Sequence, residues 1–293
     1  MKRILHGIPS VLVYTIIAFG TAFSTLYPKE KGSYPKCIIS LGPALTEKVF
    51  LLGAGERLAA NTTYCMRPVE AQKKEKIGTV IKANIEKIIS LKPDLILATS
   101  LTSPKEIKKL KKLGIRVMIF PQERSFSEIC SRFIKLGEII GEGEKAHAIV
   151  SDAKKEVEDI TQSVRGLKKK RIFFQIGAKP LFAVSRASFM NDYITLSGGV
   201  NIVGGGTSGL YSREKVISQG PDIIIITAMG IACDEEMRIW EKYITVPAVK
   251  NEELHIVDSY TFCSSNPVTF IKALREMVRI VHPHMRNDRG MSE

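Results

Sequence analysis

Ile85-Glu86-Lys87-Ile88-Ile89-Ser90-Leu91-Lys92-Pro93-Asp94-Leu95-Ile96-Leu97 has an echo in the second half of the chain, Arg213-Glu214-Lys215-Val216-Ile217-Ser218-Gln219-Gly220-Pro221-Asp222-Ile223-Ile224-Ile225. Each stretch reads as a short helix, a helix stop, Pro-Asp, and an unbroken apolar run. Short, continuous apolar runs with β-branched residues, bounded by Gly or Pro, are strands buried on both faces. Two units of related build, each placing such a strand directly after a helix, follow from this pair.

The pattern extends outward from both copies. In the first half, residues 37–41 and 58–61 are further strands, with a helix over 44–52 between them that Gly53 and Gly55 stop. A helix over 104–113 begins after Thr102-Ser103 with Pro104 in its first turn and ends at Gly114. A strand over 115–120 and a helix over 127–140, closed by Gly141, complete that half. In the second half, strands are expected at 171–176, 222–227 and 254–257, and helices at 189–196, 212–218, 235–243 and 267–281. Strand–helix alternation of this kind argues for an α/β fold with a mainly parallel sheet. Residues 144–164 carry neither Pro nor Gly, and Ala146, Ile149, Val150, Ala153, Val157 and Ile160 recur at helical spacing. A helix of that length, about 30 Å at 1.5 Å per residue, is either a stiff bar between two lobes or another surface helix of one large domain.

The chain has 293 residues, of which 44% are hydrophobic and 25% charged, with a net charge of +13. This is the balance of a globular protein with a buried core and excludes disordered, collagen-like and small disulfide-scaffold chains. The basic residues are interspersed with acids, and many are lysines on helix-like stretches, such as Lys73, Lys74, Lys76, Lys108, Lys109, Lys111 and Lys112. They read as a solvated face, with attraction to an anionic membrane surface as the alternative, and no nucleic-acid-binding motif is present.

Residues 1–24 have the layout of a secretory signal: Lys2 and Arg3, an apolar stretch over 8–19, and Ala22-Phe23-Ser24 as a small-x-small cleavage site. The alternative is an uncleaved N-terminal anchor. The protein is therefore expected outside the cytoplasm, periplasmic or extracytoplasmic. Five cysteines, Cys37, Cys65, Cys130, Cys233 and Cys263, contain no C-x-x-C pair. Cys37 is expected to open a strand and be buried, and Cys233 with Cys263 is the expected disulfide.

Catalytic chemistry is sparse. The histidines His6, His147, His255, His282 and His284 have no zinc-site spacing, so no metal site is expected. Gly204-Gly205-Gly206-Thr207-Ser208-Gly209 formally matches a dinucleotide fingerprint, yet it does not sit between the first strand and helix of a βαβ unit. It reads as a mobile loop at a cleft edge. Ser212-Arg213-Glu214-Lys215 matches S-x-x-K without its companion motifs. No nucleophile, base and oxyanion donor assemble, so the chain reads as a binding protein and not an enzyme, with no cofactor.

Ser40-Leu41-Gly42-Pro43-Ala44-Leu45-Thr46-Glu47 resembles the S-x-x-x-T-E opening of the helical-backbone (class III) periplasmic binding proteins. The two echoed stretches, Leu113-Gly114-Ile115-Arg116-Val117 and Gly198-Gly199-Val200-Asn201-Ile202 match that family in the same order, over about residues 37–283. The likeness is greatest to the cobalamin-binding branch, whose relatives bind ferric siderophores and haem. The resemblance implies two Rossmann-like α/β lobes with mainly parallel sheets, here 37–142 and 170–285, bridged by one long α-helix at 143–167. It implies a metal chelate, a corrinoid first and a ferric siderophore or haem second, held in the cleft and delivered to the permease dimer of an ABC importer by a monomeric protein. It implies that Glu86 and Glu214 dock on that permease. A tetrapyrrole- or metal-processing enzyme on a related two-lobe fold is the reading from a different class.

By position, the cleft residues are Pro43, Ala44, Thr63, Tyr64, Cys65, Thr79, Val80, Ser185, Arg186, Leu210, Tyr211 and Phe262. Tyr64, Tyr211 and Phe262 are the rings on which a planar ligand would stack. Val80 stands where the cobalamin branch carries a tryptophan, and the single Trp, Trp240, falls in a helix. Tyr64 would serve a haem iron, and Arg67 and Arg186 an anionic chelate.

Overall fold

A computed structural model describes residues 34–206, 209–227 and 233–287. The expected signal at 1–24 and the loop residues Thr207 and Ser208 lie outside the described residues.

In chain order the first half forms β1 (Ile38–Ser40), α1 (Pro43–Leu51), β2 (Leu58–Asn61), α2 (Val69–Gln72), β3 (Glu75–Lys76), α3 (Ile85–Ser90), β4 (Leu95–Thr99), α4 (Pro104–Lys112), β5 (Val117–Phe120) and α5 (Phe126–Ile140). The long helix α6 (Gly143–Ser163) follows. The second half forms β6 (Arg171–Gly177), β7 (Phe182–Ala183), α7 (Met190–Leu196), β8 (Val200–Asn201), α8 (Arg213–Gln219), β9 (Ile223–Thr227), α9 (Cys233–Glu241), α10 (Pro247–Lys250), β10 (Leu254–Val257), α11 (Ser259–Cys263) and α12 (Pro267–Val281).

The strands make two separate sheets. The first is wholly parallel in the order β3-β2-β1-β4-β5. The second runs β10-β9-β6-β7, with β8 also on β6; only β7 is antiparallel. The fold is therefore two mainly parallel α/β lobes, as the alternation implies. β3, β7, β8, α2, α10 and α11 were not expected from the sequence: elements of two to five residues are too short to show a period.

The echoed segments are equivalent in space as well as in sequence. Asn84 caps α3 by accepting from the Lys87 amide at 3.0 Å, and Ser212 caps α8 by accepting from the Lys215 amide at 3.3 Å. Asp94 then accepts the amides of Lys36 and Cys37 at 2.7 and 2.8 Å, and Asp222 accepts that of Arg171 at 2.7 Å. Each Pro-Asp thus ties the start of its own strand to the start of the neighbouring one.

α6 turns Ala146, Val150, Ala153 and Val157 inward and packs on α5 and α12. Gly137 of α5 permits this approach, since a Cβ there would lie 2.5 Å from the Ala146 Cβ. Against this helical layer sits one continuous apolar core that includes Leu97 and Phe133 from the first half and Phe174, Ile225 and Phe270 from the second. Two smaller cores lie on the outer faces, one within each sheet's own lobe.

Two cysteine expectations are corrected. Cys37 precedes β1 and is only half-buried, and all five thiols are free, so Cys233 and Cys263 are not joined.

Candidate functional site

The carboxyl ends of β1, β4 and β5 open toward the second lobe, the usual place for a ligand in parallel α/β sheets. A cavity of about 280 Å³ lies there. Its walls are Gly42, Pro43 and Ala44 at the start of α1, Val80, Thr99 to Leu101 after β4, and Phe120 to Glu123 after β5. Phe189, Cys263 and Ser265 close it from the second lobe.

The floor is charged. Lys48 of α1 is buried and donates to Glu123 Oε1 at 2.5 Å. Ser265 donates to the other oxygen of Glu123 at 3.0 Å, across the lobes. Burial pushes the Lys48 amine below its ordinary range, against the opposing pull of Glu123. One residue earlier, Glu47 accepts from Ser264 and, at 3.1 Å, from Asn266 Nδ2. Burial raises the Glu47 carboxyl, and these hydrogen bonds together with Arg67 oppose the rise. Arg67 lies over the ring of Tyr260 at 4.3 Å from its centroid. The Phe126 amide, at the start of α5, donates to Asp192 of α7 at 2.7 Å. The two lobes are therefore joined by polar contacts at the cleft floor as well as by the helical layer.

Of the residues read from the sequence, Pro43, Ala44 and Val80 line this cavity. Thr63 and Tyr64 occupy the turn after β2, with Tyr64 64% exposed. Cys65, expected to face ligand, is instead buried: the Thr46 hydroxyl donates to its sulfur, and Thr62 lies 3.2 Å from it. Thr79 is half-buried and its hydroxyl accepts from the Lys82 amide. Ser185 is buried and Arg186 exposed. Leu210 is exposed and bridges to Phe182. Tyr211 is half-buried, its hydroxyl bonded to Gln219 at 2.6 Å and its ring against Phe173. Phe262 corrects the stacking expectation: it is fully buried, edge-on to Phe174 and Tyr193, and offers no face to a ligand.

Sequence reading missed Lys48, Thr99, Ser100, Leu101, Phe120, Glu123, Phe189, Cys263 and Ser265 as wall or floor residues. The loops after β4 and β5 carried a usable signal, because each follows a parallel strand at its carboxyl end. Cys263 carried none; burial pushes its thiol up to about 11.

Glu86 and Glu214 sit exposed in the first turns of α3 and α8. The cations beside them are engaged elsewhere, Lys87 by Glu75, Arg213 by Glu236 at 2.8 Å, and Lys215 over the Tyr211 ring at 4.8 Å from its centroid. Neither Glu86 nor Glu214 enters an ion pair among the described residues. Glu236 also accepts from buried Gln175, which in turn accepts from the Trp240 indole, each at 2.7 Å, so the base of α8 rests on a buried network. No group of three or more His, Cys, Asp or Glu side chains able to hold a metal ion occurs among the described residues. No helix among them is long and apolar enough to cross a membrane.

Two parallel α/β lobes joined through one long helix, with a polar-floored cavity where their strands end, define a two-lobed ligand-binding protein. The chain belongs to the periplasmic binding protein family, whose model matches residues 38–261. It is 31% identical over 257 residues to the uncharacterized ABC transporter substrate-binding lipoprotein YvrC of Bacillus subtilis, covering 85% of this chain and 81% of that one. It is 29% identical to the vitamin B12-binding protein of Yersinia pseudotuberculosis, covering 74% and 78%. Among solved structures it is similar to a possible iron-binding periplasmic solute-binding protein of Staphylococcus epidermidis, at 26% identity and a TM-score of 0.76 over 85% and 99% of the two chains.

Proposed function

We propose that this protein is the extracytoplasmic substrate-binding component of an ABC importer, capturing a corrinoid in the cleft and handing it to the permease dimer. It binds and releases its ligand without converting it, acts as a monomer, and reaches its compartment through residues 1–24. Residues 37–142 and 170–285 are its lobes and 143–167 the link.

The observation that carries this reading is the matched pair Glu86 and Glu214. Each is an exposed carboxylate on the first turn of an echoed helix, and the cations beside it are engaged elsewhere, Lys87 and Arg213 by other acids and Lys215 by the Tyr211 ring. Two such free charges, one per lobe, suit a two-fold partner presenting cations, where charge complementarity sets orientation and on-rate. The likeness to the YvrC lipoprotein and to the vitamin B12-binding protein supports the transport class and the corrinoid. A cavity of about 280 Å³ is at the lower limit of ~300–1,000 Å³ for small-ligand pockets. It takes one edge of a large chelate, with Tyr64 and Arg186 at positions outside its walls serving the remainder. Because the lobes share one apolar core, ligand entry involves only small hinge motion.

A ferric chelate is the second reading, favoured by the likeness to the Staphylococcus epidermidis protein. Absorbance titrations and melting curves with cobalamin, cobinamide, haem and ferric siderophores separate the two. A ligand at a hundred times its Kd stabilises by about 2.7 kcal/mol, so its melting shift is plain. A shift with iron chelates and none with corrinoids overturns the first choice, and turnover of a bound tetrapyrrole overturns the transport class. The pair Glu86→Lys and Glu214→Lys abolishes uptake while leaving ligand affinity unchanged; unaltered uptake removes their docking role.

A further inference from the structure

We propose that the face formed by α4 and the edge strand β5 is a contact surface for an anionic phospholipid bilayer. α4 carries Lys105, Lys108, Lys109, Lys111 and Lys112 within nine residues, and Arg116 follows; all are exposed. None of them enters an ion pair among the described residues. The single acid of the helix, Glu106, has its Oε2 buried. The patch is thus an uncompensated block of positive charge.

Charge alone does not choose a bilayer over a soluble polyanion; the apolar surface between the lysines does. Lys108, Lys111 and Lys112 recur at helical spacing on one face. They line a groove of about 580 Å³ together with Pro104, Ile107 and Ile119. β5 is the outer strand of its sheet, and Ile119, on the same face as buried Val117, is 44% exposed. Leu113, after the helix, is 52% exposed. Lysine stems lie along apolar surface while their amines reach outward, and a basic rim around an apolar strip is the arrangement that settles at a headgroup boundary. The surface is independent of whichever chelate the cleft takes.

The test is co-sedimentation of the full chain with vesicles of phosphatidylglycerol and phosphatidylcholine, against phosphatidylcholine alone, the readout being the ratio of the two affinities. Each lysine near an anionic surface contributes about 1 kcal/mol, so K108Q/K111Q/K112Q lowers the ratio by about 100-fold. I119N, which keeps every charge, lowers it severalfold. The control K168Q/K169Q/K170Q, which removes the same charge from the basic run before β6, leaves it near the parent value. Equal losses in the control and the α4 variant overturn the proposal, as does a ratio near one for the parent protein. Retention on heparin without any vesicle preference also overturns it and assigns the patch to a soluble polyanion. Unfolding midpoints check that each variant is folded.

Discussion

Glu123, in the loop after β5, holds the Lys48 amine at 2.5 Å with one oxygen and the Ser265 hydroxyl at 3.0 Å with the other. A single carboxylate therefore neutralises the buried cation of the first lobe and tethers the second lobe to it, at the floor of the cleft.

Removing one partner of a buried pair costs about 3–5 kcal/mol, because the survivor is left charged and desolvated. Lys48→Met and Glu123→Leu are each expected to lower unfolding stability by that amount in urea. The double variant should recover most of the loss; a double variant as unstable as the sum of the singles would mean that the two do not act as a pair.

Gly137 is where α5 meets α6. A methyl there would also come within 2.9 Å of the Glu142 carbonyl oxygen. Gly137→Ala gains up to ~1 kcal/mol of helix propensity but overpacks a rigid contact, which typically costs 1–3 kcal/mol. A net fall in thermal midpoint is the expected outcome, and a rise would show that the two helices yield easily.

His282 Nε2 lies 2.9 Å from the Ser197 carbonyl oxygen, which can only accept, so this nitrogen carries the proton of a neutral ring. Burial lowers its pKa below the ordinary 6.5, with His284 and Lys170 acting the same way and the Ser197 bond opposing. Between that lowered value and 6.5 the unfolded chain binds more protons than the folded one. Stability contributed by the neutral ring is thus intact above this window and is lost as pH falls through it. His282→Gln should flatten the dependence of unfolding free energy on pH just below 6.5, and an unchanged slope would assign it to another group.

With every thiol free, the denatured chain should titrate five cysteines without reductant. Cys130 and Cys263, both pushed up to about 11 by burial, carry only about a thousandth of their population as thiolate at pH 8. Together with the buried Cys65 they should react last in the folded protein, after Cys37 and Cys233. A count of three would restore the disulfide.

Much of the fold was legible because it is written locally. β2, β10 and α12 fall where apolar runs, Gly stops and Pro starts place them, and α6 departs from its expected span by one residue at either end. The echo around Glu86 and Glu214 was legible too, since cap, helix and Pro-Asp lie within thirteen residues in each copy. The cleft was less so. Pro43 and Ala44 were found from a strand-end position and Val80 from its place before the Glu86 helix, whereas Phe262, also after a strand, is enclosed by Phe174 and Tyr193.

Periodicity and turn chemistry alone determined the longer strands and helices and that the halves repeat a plan, while the family resemblance singled out Glu86 and Glu214 within that repeat. Only the tertiary structure decided that Lys48 meets Glu123 and Ser265, and which aromatic rings are spent inside the core. The physical reason is that side-chain pairing across 75 and 142 residues depends on how two sheets pack on one helical layer, and no local preference encodes that distance.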